Sequence, residues 1–148
     1  MEQKTKMVKV AVAMDTGATA NVTPNGEFGV KVTLPPPGES DDFFGADNAR
    51  ILNLGTQVGN GTTTDAEPID YSINFDVAKI SRPLGSVSKL LKKNNRAMFD
   101  EGNSYIQNKS SGKKTKLREE GGLFFLDLLV EVPYDMPINP RFVRQVQS

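Results

Sequence analysis

Val8-Lys-Val-Ala-Val-Ala-Met-Asp-Thr-Gly-Ala-Thr19 is the stretch from which the fold is read. Val8, Val10, Val12 and Met14 recur with period two, so they share one face of a strand while Lys9 and Ala11 fall on the other. The alternation runs straight into Asp15-Thr16-Gly17. A carboxylate at the end of a half-buried strand, followed by a hydroxyl and a glycine, is presented by a tight turn. There Gly17 lets another backbone approach closely, and the Thr16 hydroxyl can hydrogen-bond across a site. The same period recurs in Phe28, Val30, Val32 and Leu34, and in Ile69, Tyr71, Ile73, Phe75 and Val77. Three half-buried strands follow, and the fold class expected is all-β.

Between these strands, Pro35-Pro-Pro-Gly38 with Glu39 to Asp42 is a loop, because consecutive prolines remove ladder donors. Phe44 to Gly55 reads as a hairpin whose tip is Asp47 to Arg50. Over residues 83–93 the period changes. Leu84, Val87, Leu90 and Leu91 fall on one helical face, Ser88, Lys92 and Lys93 on the other, and Pro83 suits a first turn. One short helix is expected there, ended by Asn94-Asn95. Short strands then alternate with turns as a C-terminal β-meander: strands at Ala97 to Phe99, Ser104 to Gln107, Leu117 and the apolar run Leu123 to Val132, with turns at Asp100 to Asn103, Lys109 to Lys113 and Gly121-Gly122. Pro133, Pro137 and Pro140 make the end irregular or extended. The organisation expected is a single domain over 1–132 with a Pro-rich tail or linker over 133–148.

Composition removes several function classes. The 148 residues include no Cys and no His, so a disulfide framework, a thiol nucleophile, a Ser-His-Asp relay and a Cys- or His-ligated metal are all excluded. No apolar run is long enough to span a bilayer, and the N-terminus lacks the apolar block of a signal peptide. An intracellular, cytoplasmic protein with no membrane partner is expected. The 18 basic and 18 acidic residues balance but are unevenly placed. Residues 1–78 hold 5 basic and 11 acidic, and residues 79–148 hold 13 and 7. The basic residues fall where turns and an exposed helix face are expected, so nucleic acid is not an expected partner. Asp41-Asp42, Asp65 with Glu67, Asp100-Glu101 and Glu119-Glu120 read as solvated loop charge without calcium-loop spacing. Gly55 to Thr62 lacks the lysine of a phosphate loop and reads as a flexible strand exit.

Preceded by a hydrophobic strand and followed by Ala-Thr, Asp15-Thr16-Gly17 resembles the active-site loop of aspartic proteases. The hairpin tip, Asp47 to Arg50, is similar to the flap that covers a retropepsin cleft. Phe75 to Leu91, then Asn95-Arg-Ala-Met-Phe-Asp100, Ser104-Tyr-Ile-Gln-Asn-Lys109 and Thr115 to Leu128, resemble the second half of copia-type retrotransposon proteases. The family's apolar-apolar-Gly element stands here as Pro83-Leu84-Gly85, and Thr16 replaces the serine of many members. The resemblance covers residues 8–130 and implies a retropepsin-like β-barrel from a retroelement polyprotein.

The resemblance also implies a mechanism. Aspartic protease chemistry uses two carboxylates sharing one proton, because like charges so close cannot both ionise. This chain has one Asp-Thr-Gly and no second Asp-(Ser/Thr)-Gly, so the dyad requires a homodimer with Asp15 meeting its symmetry mate. Asp15, Thr16 and Gly17 are then the expected catalytic residues. Ala18, Asp47, Asn48, Ala49 and Arg50 are expected to hold an extended polypeptide substrate, with no metal and no organic cofactor. Two alternatives stand beside this reading. One is the same fold without catalysis, serving as a protein-binding or dimerisation module, and the other is a β-rich structural or viral surface domain in which Asp15 is a turn residue.

Overall fold

Val8, Val10 and Val12 are wholly buried, as are Leu126 and Leu128, with Val130 and Val132 nearly so. The two sets face each other because β1 (Thr5–Asp15) pairs antiparallel with a strand near the other end of the chain, matching Val8 with Val130, Val10 with Leu128 and Val12 with Leu126. A one-residue slip would turn Lys9 and Asp127 toward the core, so the alternation pins the register. The computed structural model describes residues 4–24, 28, 33–34, 43–44, 50–51, 53–136 and 143–145.

After β1 come β2 (Val22–Thr23), β3 (Phe43–Phe44), β4 (Arg50–Ile51), β5 (Asn53–Thr63), β6 (Asp70–Ala78) and β7 (Leu84–Ser86). The helix α1 (Val87–Leu91) follows, then β8 (Asn95–Met98), β9 (Tyr105–Asn108), β10 (Lys114–Lys116), β11 (Arg118–Glu120), β12 (Leu123–Pro133) and β13 (Val143–Gln145). The largest sheet has the order β11-β12-β5-β6-β2-β7-β1-β13, and β1 also pairs with β12. The pairing path that leaves β12 through β5 therefore returns to it through β1. β8, β9 and β10 form a separate antiparallel meander, and β3 with β4 forms a hairpin. The all-β class holds among the described residues, where the helical content is a single five-residue turn.

The strands expected around Val8 to Met14 and Ile69 to Val77 are β1 and β6. Of the one expected over Phe28 to Leu34, only residues 28, 33 and 34 are described. Phe28 is buried and stacks on Phe75 with ring centroids 4.9 Å apart, and Thr33 bridges to Thr56.

Several expectations are corrected. The helix occupies five residues, not the whole of 83–93. Leu84 to Ser86 are strand, Pro83 is buried ahead of it, and Leu91 is exposed. Gly85 pairs with Met14 in the β1–β7 ladder and is pressed so closely on Met14 and Val12 that an added Cβ would lie 2.7 Å from Met14 Sδ, so this approach needs a residue without a side chain. Ser86 caps the helix, its hydroxyl accepting from the Lys89 amide at 3.2 Å. Asn94, at φ 63°, ends the turn that follows. Gly55 to Thr62 is not an exit but most of β5, running antiparallel to β6. Its glycines are sites of close approach: a Cβ on Gly59 would meet the Phe28 and Phe75 rings at 2.8 Å, and one on Gly61 would meet Leu128 Cβ at 2.8 Å. The turn expected at Lys109 to Lys113 does join β9 to β10, but the structure adds strands at Lys114 to Lys116 and Arg118 to Glu120 around Leu117. The tail contributes β13, which pairs Val143 with Val10 on β1.

Gly59→Ala is expected to lower folding stability by about 1–3 kcal/mol through overpacking of the Phe28–Phe75 stack. Urea titration followed by tyrosine fluorescence measures it; an unchanged midpoint would mean that the rings do not sit over Gly59.

Candidate functional site

The loop that follows β1 owes its position to β7. Ala13, Met14 and Asp15 pair in parallel with Leu84, Gly85 and Ser86, and the Ala13 amide donates to the Pro83 carbonyl at 3.0 Å. Parallel strands need a long crossover, and here everything from β2 to β6 lies between the partners. Ser86 then ties the loop down. Its hydroxyl donates to the Ala18 carbonyl at 2.7 Å, 68 residues away in the chain, while its amide donates to Asn21 Oδ1 at 2.7 Å. Asn21 continues the anchoring, since its carbonyl accepts from the Asp76 amide at 2.8 Å just before β2 runs parallel to β6.

Within the loop the Gly17 amide donates to Asp15 Oδ1 at 2.8 Å. Asp15, Thr16 and Gly17 are all exposed and Ala18 is half-buried. The expected catalytic residues thus share one turn, whose backbone is held from behind and whose carboxylate faces outward. Asp127 is committed elsewhere: its side chain is only 10% exposed, bound by Arg118 at 2.8 and 3.1 Å and by Lys9 at 3.6 Å. Among the described residues, no group of three or more carboxylates is placed to hold a metal ion. No helix among them is long and apolar enough to cross a membrane.

The expected flap maps onto the β3–β4 hairpin, in which Phe43 pairs with Ile51 and Phe44 with Arg50. Arg50 is therefore in β4 rather than at the tip. Asp47, Asn48 and Ala49 lie outside the described residues.

Ser86 and Asn21 are the residues the sequence reading missed. Ser86 carried a signal, because a serine ahead of Val87, Leu90 and Leu91 is a preferred helix cap. Asn21 carried none, since its partners are set by tertiary contact. A cavity of about 200 Å³ lies behind the loop, lined by Met14, Asn21, Tyr71, Gly85, Ser86 and Lys89 among others. The Tyr71 hydroxyl lies 3.2 Å from Thr115 Oγ1. Burial pushes the Tyr71 phenol above its ordinary value, Asp65 adds to the rise, and the Thr115 contact opposes it.

Comparison with family models, with curated proteins and with solved structures returned no match.

Three outcomes are expected. Ser86→Ala removes the hold on Ala18 and the helix cap together and should cost about 1–3 kcal/mol in chemical denaturation. Asn21→Ala should cost about as much as one of those bonds, and neutral effects at both positions would refute the anchoring. Because the Tyr71 phenol is raised in the folded state, the unfolded chain loses its proton first. Stability from this group is intact below about pH 10 and declines as pH rises beyond it. Tyr71→Phe should flatten that alkaline decline in a pH series of denaturation midpoints.

Proposed function

We propose that this chain is a retropepsin-like aspartic endopeptidase, active as a homodimer and processing a copia-type retroelement polyprotein inside the cell. The observation that carries the reading is the geometry of Asp15. A fully committed strand ends on this carboxylate, its loop is pinned beside the parallel Leu84-Gly85-Ser86 strand, and the acid is exposed to an approaching second copy. Support also comes from the pairing path that closes through β1 and β12, as a retropepsin-like barrel requires, and from the β3–β4 hairpin that leads to the flap segment.

In the dimer, Asp15 of one copy is unprotonated and draws a proton from water, while its mate is protonated and donates to the peptide carbonyl oxygen. Water adds to the carbonyl carbon, the tetrahedral intermediate collapses, and the C–N bond breaks with a proton delivered to the leaving amine. The Gly17 amide holds one oxygen of Asp15 in place, and Thr16 of each copy ties the two loops together. Ala18 and the flap residues Asp47 to Arg50 hydrogen-bond the main chain of an extended substrate, as in strand addition.

Asp15→Asn should abolish cleavage of the precursor, a loss of at least about 10²–10⁴-fold, with folding and self-association unchanged. Specific activity should also fall on dilution as the dimer dissociates. An Asp15→Asn variant that still cleaves refutes the dyad. A purified chain that stays monomeric at high concentration by native mass measurement, without cleavage, points to the non-catalytic module.

A further inference from the structure

The separate meander has two unlike faces. Register sets Ala97, Ile106 and Thr115 in one row, and of these Ile106 and Thr115 are buried. The rows to either side point the other way. One holds Arg96, Gln107 and Lys114, and the other Met98, Tyr105 and Lys116. Arg96, Met98, Lys114 and Lys116 are exposed, and Tyr105 and Gln107 half-buried. Lys114 Nζ lies 4.4 Å from the centre of the Tyr105 ring. None of Arg96, Lys113, Lys114 and Lys116 takes part in a salt bridge among the described residues. The segment from Lys89 to Lys116 holds eight basic residues and two acidic ones in a chain whose total charge is zero. Of the basic residues read from the sequence as lying in turns and on an exposed helix face, Arg96, Lys114 and Lys116 are in the strands of one small sheet.

We propose that this outer face binds single-stranded RNA. Same-face positions two apart on a strand are about 6.7 Å from each other and neighbouring strands about 4.8 Å apart, so the face spans two to three nucleotides. Arg96, Lys114 and Lys116 meet phosphates. Tyr105, with Met98 beside it, is the stacking surface for a base. The Lys114 ammonium now over the ring is long enough to swing to the phosphate beside a stacked base. Gln107 donates its amide to the Gly112 carbonyl at 3.1 Å, which leaves its side-chain oxygen as an acceptor beside the cations of Arg96 and Lys114. A ribose 2′-hydroxyl supplies a matching donor that deoxyribose lacks. Asp65 and Glu67 border the same concavity beside Lys113, Lys114 and Lys116. They repel a polyanion at the β10 side and direct it across the strands toward Arg96.

The test is fluorescence anisotropy of the full chain with a labelled, mixed-sequence RNA of about a dozen nucleotides, from low to physiological salt. Affinity should fall with salt at a logarithmic slope of about −2, as for about three phosphate contacts on a single strand. Lys114→Gln/Lys116→Gln, both at exposed positions, should weaken binding about tenfold and flatten the slope. Tyr105→Ala should weaken it about tenfold with the slope unchanged. Lys79→Gln/Arg82→Gln, the same charge removed elsewhere, should bind as the unaltered chain does. No binding at low salt overturns the proposal, as does an equal loss from the two double variants, or RNA affinity indifferent to Tyr105→Ala in a folded protein. Equal affinity for DNA of the same sequence overturns the assignment to RNA. Uptake by phosphatidylserine-containing vesicles without RNA binding would assign the face to a membrane surface instead.

Discussion

Everything in the fold depends on β1 being hydrogen-bonded along both edges. One edge carries β12 over nearly its whole length, and the other carries β13 at Val8 to Val10 and β7 at Ala13 to Asp15. Its inward side chains Val8, Val10 and Val12 have no exposure, and burying each contributes about 1.5–3 kcal/mol. A strand so confined cannot shift along its axis without breaking several ladders at once. Asp15 is therefore delivered at a fixed position although the residue itself is in solvent. A carboxylate borne on rigid elements but exposed at their end is held in place without being buried.

The loop beyond Asp15 is positioned by small polar groups rather than by burial. Ser86 and Asn21 satisfy backbone groups of Ala18, Ser86 and Asp76 across three strands. Because Ser86 also caps α1, the helix and the loop share one side chain. Gly85 lets β7 come close enough for this network to form, with Met14 lying over it. Gly85 at the centre of β7 has a direct physical use: a strand without a side chain there can lie against the carboxylate-bearing strand.

The basic excess of the second half of the chain gathers on and around the meander, while its acidic residues are partly consumed in contacts such as Asp127 with Arg118 and Lys9. The meander's core of Ile106 and Thr115 faces the rest of the protein, which leaves its polar rows on the outside. A charge total of zero thus conceals a surface that is locally far from neutral, and local potential rather than net charge governs encounter with a polyanion.

The sequence by itself determined the all-β character, β1, β6 and β12, the turn carrying Asp15 and the existence of a helix after Ser86. Each is written in local periodicity or in one residue's conformational preference, which needs no knowledge of distant partners. Tertiary structure alone decided the parallel union of β1 with β7, the role of Asn21 and Ser86, the gathering of lysines on one sheet face, and β5. Three residues are too few to display a period, and a strand whose inward positions are Gly55, Gln57, Gly59, Gly61 and Thr63, with Phe28, Phe75 and Leu128 pressed against Gly59 and Gly61, shows no apolar pattern of its own. Such elements take their form from atoms elsewhere in the chain, and those atoms come within reach only once the long ladders have closed.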